Sequence, residues 1–250
     1  MRAAWGVIVD CPPCLTITHR MNDTHSEAAV RDLHARLWRA RASLWPAEAM
    51  PTPVEMLDPA AAARLLGIEF EVHDELGSRF NAAEARFEIA GLLDRQAKKI
   101  AISRRFALET QRFTAAHELG HWLLHPGNIM HRDRPVGGLE FGPMKRPLPE
   151  READRFAALF LMPEKLLRKR FAECFGATTP LVVDDAAAFW LCGGNPGFLL
   201  DADIHSLERE VAVASARSFA NRHFDSLARH FHVSIASMAI RLRELELVRA

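Results

Sequence analysis

The stretch His117-Glu118-Leu119-Gly120-His121 constrains this chain more than any other. It lies in a run from 108 to 124 whose apolar residues recur at helical spacing, and Pro126 stops that run. Residues four apart on a helix stack one turn above the other on the same face. The segment therefore offers two imidazoles side by side from a helix that otherwise asks for burial, and the fold has to meet them with polar groups or leave them in water. Gly120 adds a second demand. A glycine in a helix interior costs about 1 kcal/mol relative to alanine, so a close approach is expected there, by a strand edge or a substrate backbone.

Two imidazoles so placed can both point at one Zn²⁺ at about 2.0–2.1 Å. Glu118, next to the first of them, can lie over the open side of such a site and act as a general base toward water. In a chain with 12 histidines the pattern alone is weak, and the plain alternative is a surface helix with two solvated rings. The strand meander directly before it argues for the metal site. A third protein ligand is needed, with the fourth position left to water. Glu150-Arg-Glu-Ala-Asp154 opens the next strong helix. Glu150 and Asp154 share a face, whereas Glu152 points about 200° around from Glu150. Glu150 is the expected ligand, against a charge that merely complements the helix N-terminus. Asp154 is expected to accept from a ligand histidine and fix its tautomer. Glu152 is the reserve ligand. His125 follows His121 by four, but residue 127 is Gly, so the longer three-histidine motif is absent. His125 is expected to end the helix, favouring its dipole or packing near Pro126.

The 250 residues are 49% hydrophobic, enough for one large domain or two small ones, and 32 basic residues balance 32 acidic ones. A zero net charge gives no footprint for binding nucleic acid or an anionic membrane over the whole surface. No apolar run approaches the ~20 residues of a membrane span. The opening residues make a poor signal peptide, so a cytoplasmic protein is expected. Residues 1–25 read as an N-terminal arm of uncertain structure. From Ser26, a plausible N-cap, Ala29, Leu33, Leu37 and Leu44 mark a helix. Asp58 to Leu66 reads as a short helix ending at Gly67. Strands are expected over Ile68–Val72, Ala85–Leu93 and Lys99–Ile102, giving a small antiparallel or mixed sheet. Gly127 to Pro149 reads as a long loop, and loops of that length inside a domain are usually functional. Pro163 either kinks the following helix or starts another.

The stretch Arg112-Phe-Thr-Ala-Ala-His-Glu-Leu-Gly-His-Trp-Leu-Leu-His125 resembles the zinc helix of the ImmA/IrrE metallopeptidases. Glu150-Arg-Glu-Ala-Asp-Arg-Phe-Ala-Ala-Leu-Phe-Leu-Met-Pro163 resembles that family's second signature. The likeness covers roughly Ala60 to Phe171. It implies an α+β, zincin-like metallopeptidase domain, a small antiparallel or mixed sheet plus active-site helices, over 26–175. A helical, helix-turn-helix-like C-terminal subdomain would follow over 176–250. It also implies one zinc on His117, His121 and Glu150, with Glu118 as base, and limited proteolysis of a helix-turn-helix repressor. Ser103 stands where the family often has Asn. Tyrosine is absent from the chain, so oxyanion stabilisation falls to a histidine, an arginine or backbone N–H groups. His131 is the first candidate, with His205 and His223 behind it.

Cys11-Pro-Pro-Cys14 reads as half a metal site or a redox pair, against a bland N-terminal arm, because no second CxxC completes a four-ligand site. Cys174 and Cys192 read as core or loop thiols. Helical patterns over 222–230 and 234–245 resemble a helix-turn-helix, with His232 in place of the usual turn glycine. Arg241 and Arg243 are offset by Glu244 and Glu246, so packing or substrate docking is favoured over DNA binding through 222–247. Two rival functions remain: a non-catalytic regulatory protein that binds a repressor or DNA on the same scaffold, and a toxin–antitoxin component.

Overall fold

A computed structural model describes residues 14–80, 86–127, 130–133, 147–176 and 180–250, with side chains at 24–77, 88–127, 147–176 and 180–250. Cys11 and the Cys14 side chain lie outside the described residues. Helix α1 (Cys14–Leu44) begins well ahead of Ser26. Ser26 is therefore no N-cap but a helical residue only 2% exposed, and the expected arm is helical from Cys14. The apolar stripe from Ala29 onward marks where α1 packs, with Leu33 and Leu37 buried, and the helical backbone continues beyond it. Helix α2 (Pro59–Leu65) starts on Asp58, whose carboxylate accepts from the N–H groups of Ala60 and Ala61 at 3.2 Å each. Gly67, at φ +71°, closes it in the left-handed region that glycine tolerates.

Five strands follow: β1 (Glu69–His73), β2 (Ser78–Phe80), β3 (Arg86–Glu88), β4 (Gly91–Asp94) and β5 (Lys99–Ser103). The single strand expected from Ala85 to Leu93 is broken. Ile89 and Ala90, both buried, are not in strand conformation and separate β3 from β4. The chain changes sheets there: β3 pairs with β2 in a hairpin, and β4 joins the main sheet. Within the long segment after α3 (Leu108–Leu124) lies a further strand, β6 (Met130–Asp133), read above as loop. Met130-His-Arg-Asp133 has no apolar alternation, so only its backbone pairing with β4 identifies it. The sheet runs β1-β5-β4-β6, with β1 parallel to β5 and the other pairs antiparallel.

Helix α4 (Leu148–Leu161) carries proline in its first turn, and Pro163 starts a separate helix, α5 (Glu164–Phe175). The rest of the chain holds β7 (Leu181–Val182), α6 (Asp185–Cys192), α7 (Gly197–Leu200), α8 (Glu208–Ser215), β8 (Ser218–Phe219), β9 (Arg222–His223), α9 (Leu227–His230), α10 (Ile235–Glu244) and β10 (Val248–Arg249). The helix expected over 222–230 is thus a strand and then a short helix capped by Ser226. His232 turns the chain at φ +53°, and Ser234 caps α10. Arg241 is 2% exposed and donates from Nε to Met162 O at 3.3 Å, while Arg243 Nε donates to Glu210 at 2.9 Å. Both arginines are engaged within the protein. Phe231, which follows α9, and Met238 and Leu242 of α10 share one core with Phe156, Phe160 and Phe171.

Two contacts set where α4 lies. The first is with α3. A Cβ at Gly120 would sit 3.1 Å from Ala153 Cα and 3.1 Å from Phe156 Cβ. The close approach expected at Gly120 is therefore made by a neighbouring helix, not by a strand or a substrate. The second is with α1, where His34 Nε2–H donates to Phe160 O at 3.0 Å, one of the carbonyls that the end of α4 leaves without a helical partner. Burial holds the His34 imidazole below its ordinary value of 6.5, although the bond to Phe160 O pulls the other way.

Two outcomes follow from this packing. Gly120→Ala should destabilise the protein by about 1–3 kcal/mol in urea unfolding despite alanine's better helix propensity, because backbone and a buried ring must move. Unchanged or raised stability would mean that α4 yields freely. For His34, the unfolded chain takes up the proton at higher pH than the folded one. Its contribution is whole above about pH 6.5 and is lost as pH falls below that toward the folded-state value. His34→Gln should therefore flatten the fall in unfolding free energy between about pH 7 and about pH 5, and an unaltered slope would refute that account.

Candidate metal centre

Helix α3 buries its polar motif completely: His117, Glu118 and His121 are each 0% exposed. Polar groups placed there without partners would cost several kcal/mol, and the partners come largely from the first turns of α4. Glu150 Oε2 lies 3.4 Å from His117 Nε2, and Glu150 Oε1 lies 3.6 Å from His121 Nε2. The two Nε2 atoms are 3.0 Å apart. On the far side of the first ring, His117 Nδ1–H donates to Asp154 Oδ1 at 2.9 Å. The helical spacing of Glu150 and Asp154 is what lets one helix serve both nitrogens of one histidine.

His117, His121 and Glu150 form a group whose ligand atoms all lie within 4.8 Å of one another. Hydrogen bonding decides what that group can hold. The Asp154 carboxylate accepts, so the neutral His117 ring carries its proton on Nδ1 and turns an Nε2 lone pair inward. His121 Nδ1 is 3.0 Å from His125 Nδ1, and His125 Nε2–H donates to Glu152 Oε2 at 2.8 Å. Neutral rings in that order put the His121 proton on Nδ1 as well. Two lone pairs and a carboxylate then converge on one point, a donor set suited to a divalent cation.

The sheet closes the other side of α3. A Cβ at Gly91 of β4 would lie 2.5 Å from Thr114 Cγ2 and 2.7 Å from Glu118 Oε1, so only glycine lets Glu118 lie against this strand. At the end of α3, Arg95 Nη2 donates to His121 O at 2.6 Å, Trp122 O at 2.8 Å and His125 O at 2.9 Å. Its guanidinium also stands 4.8 Å from the Trp122 ring. Arg95 lies in the turn between β4 and β5, and nothing local marks it as a clamp on a helix end.

Other candidates fall elsewhere. Glu152, the reserve ligand, meets His125 rather than the His117–His121–Glu150 group. His125, read as a plain helix end, is the C-cap of α3, with its ring turned toward His121; its spacing of four from His121 was the available signal. The His131 side chain lies outside the described residues, and His205 and His223 occupy exposed positions.

The family model of the IrrE N-terminal-like domain, a peptidase domain, matches residues 64–176. No curated protein matches the chain. The matched span runs from α2 to the glycine that ends α5, and so contains both helices of the cluster and the main-sheet strands. The mixed α+β architecture over this span fits a zincin-like domain, and no helix among the described residues is long and apolar enough to cross a membrane. Residues 64–176 match the IrrE N-terminal-like domain, which supports the resemblance of this part of the chain to the ImmA/IrrE peptidases.

Proposed function

We propose that this chain is a zinc-dependent endopeptidase whose ligands are His117, His121 and Glu150. The observation that carries the reading is the convergence of those three donors inside a peptidase-family domain, with Glu118 beside them. When bound, Zn²⁺ would supply a Lewis acid that polarises the scissile carbonyl and makes water more acidic. The chain's own residues do the rest. Glu118, held between α3 and β4, takes a proton from the attacking water and delivers it to the leaving amine. Asp154 keeps His117 in the tautomer that presents Nε2. The buried setting strengthens each of these interactions. With no tyrosine in the chain, the developing oxyanion is met by a histidine, an arginine or a backbone N–H.

The proposed substrate is a helix-turn-helix transcriptional repressor, cut at a limited site, in the cytoplasm. Support for that substrate comes from the resemblance of the two signature segments to repressor-cleaving members of the family. The α8–α10 region is proposed as a helical subdomain that packs against the peptidase part or docks the substrate. Direct DNA contact through 222–247 is not part of this reading, because Arg241 is buried and Arg243 is bound to Glu210.

Metal analysis of untagged protein should return about one zinc per chain. Glu150→Ala should lose most of it. Glu118→Gln should keep the zinc and lower repressor cleavage by at least about 10²-fold, read as persistence of the intact repressor on co-expression. Full cleavage by Glu118→Gln would remove Glu118 from the mechanism, and undiminished zinc in Glu150→Ala would remove Glu150 from the ligand set.

A further inference from the structure

The two histidines of the cluster are supported differently. His117 meets a carboxylate directly, Asp154 at 2.9 Å. His121 meets a second histidine, and the carboxylate comes one step later: His121 Nδ1 to His125 Nδ1 at 3.0 Å, then His125 Nε2 to Glu152 Oε2 at 2.8 Å. The chain of bonds has one consistent polarity. An ionised carboxylate only accepts, so the His125 proton sits on Nε2, and the neutral His125 ring offers Nδ1 as an acceptor. That acceptor takes the Nδ1–H of His121 and turns the His121 Nε2 lone pair toward His117 and Glu150.

We propose that His125 and Glu152 form a relay that positions His121 as a metal ligand, doing through two residues what Asp154 does for His117 through one. The relay rests on the metal-site reading given above. Its parts are held independently of any ion. The His125 side chain is only 12% exposed and that of Glu152 is 22% exposed. Arg95 clamps the carbonyls of His121, Trp122 and His125 with one nitrogen, which fixes the non-helical His125 backbone relative to His121. Glu152 thus acts through His125 and is a positioning residue, not a ligand in reserve. Acids at 150, 152 and 154 on α4 are shared among three histidines of α3 and its cap: Glu150 to the common point, Asp154 to His117, and Glu152 to His125.

The test is zinc affinity of the full chain, measured by competition with a chromophoric chelator and requiring no turnover. His125→Ala and Glu152→Ala should each retain one zinc per chain but bind it about 10–100-fold more weakly than wild type. Glu152→Gln, which can still accept from His125 Nε2–H, should fall between Glu152→Ala and wild type. Because the two residues act in series, the double variant His125→Ala/Glu152→Ala should bind no more weakly than the weaker single variant. Far-UV circular dichroism and thermal melts of the metal-free proteins check folding, and Glu152→Gln carries the test if either alanine variant fails to fold. Wild-type affinity in the variants, or losses that multiply in the double variant, would overturn the relay while leaving the metal site standing. Loss of the zinc altogether in Glu152→Ala would make Glu152 a ligand and overturn it too. A wild-type protein that binds no zinc would instead remove the metal-site reading on which the relay depends.

Discussion

The closeness of α3 and α4 at Gly120 governs this molecule. With no side chain at that position, the α3 backbone comes within what would be Cβ contact of Ala153 and Phe156. Only at that separation can Glu150 reach both Nε2 atoms and Asp154 reach Nδ1 of His117. The dependence runs both ways. His117 and His121, fully buried on α3, would carry a large desolvation penalty if α4 stood farther off. The acids of α4 would in turn repel one another, three in five residues, without histidines to share them. Glycine's unfavourable helix propensity is thus offset by the polar pairing it permits.

The rest of the fold keeps that pair of helices in place. On the sheet side, Gly91 gives Glu118 room against β4. At the α3 terminus, Arg95 collects the carbonyls of His121, Trp122 and His125, the first of which also accepts from the His125 N–H. Helix α4 is tied to α1 through His34 and Phe160 O, and to α10 through Arg155 and Glu244 at 2.8 Å. The buried Arg241 reaches the carbonyl of Met162, where α4 ends. The C-terminal helices, which lie beyond the matched peptidase span, therefore bear directly on the helix that presents the acids. Their packing and the geometry of the cluster are one problem, solved by one continuous core.

Local signals were legible wherever an element is set by its own residues. Helices α2, α3 and α4 were read to within a residue or two, because Asp58, Gly67, Pro126, Pro149 and Pro163 act within one turn of where they stand. Signals failed where pairing partners are distant. Strand β6 has no alternation of its own and exists through its register with β4. The stretch from Ala85 to Leu93 looked like one strand because apolar content does not report a change of sheet. The start of α1 was missed because a helical backbone can outrun the stripe that packs it.

In the cluster the same division holds. The sequence by itself determined that His117 and His121 share one helix face and that Glu150 and Asp154 share another, since both follow from 3.6 residues per turn. It also showed that Gly120 had to admit a neighbour. Which neighbour it admits, which acid meets which nitrogen, that His125 turns to His121 and draws in Glu152, and that Arg95 clamps the helix end were decided by tertiary structure alone. Apart from His121 and His125, four positions apart, those contacts join residues 26 to 37 positions apart in the chain. Helix periodicity fixes directions within one element, but only the crossing of two elements brings a given pair of atoms within hydrogen-bond reach.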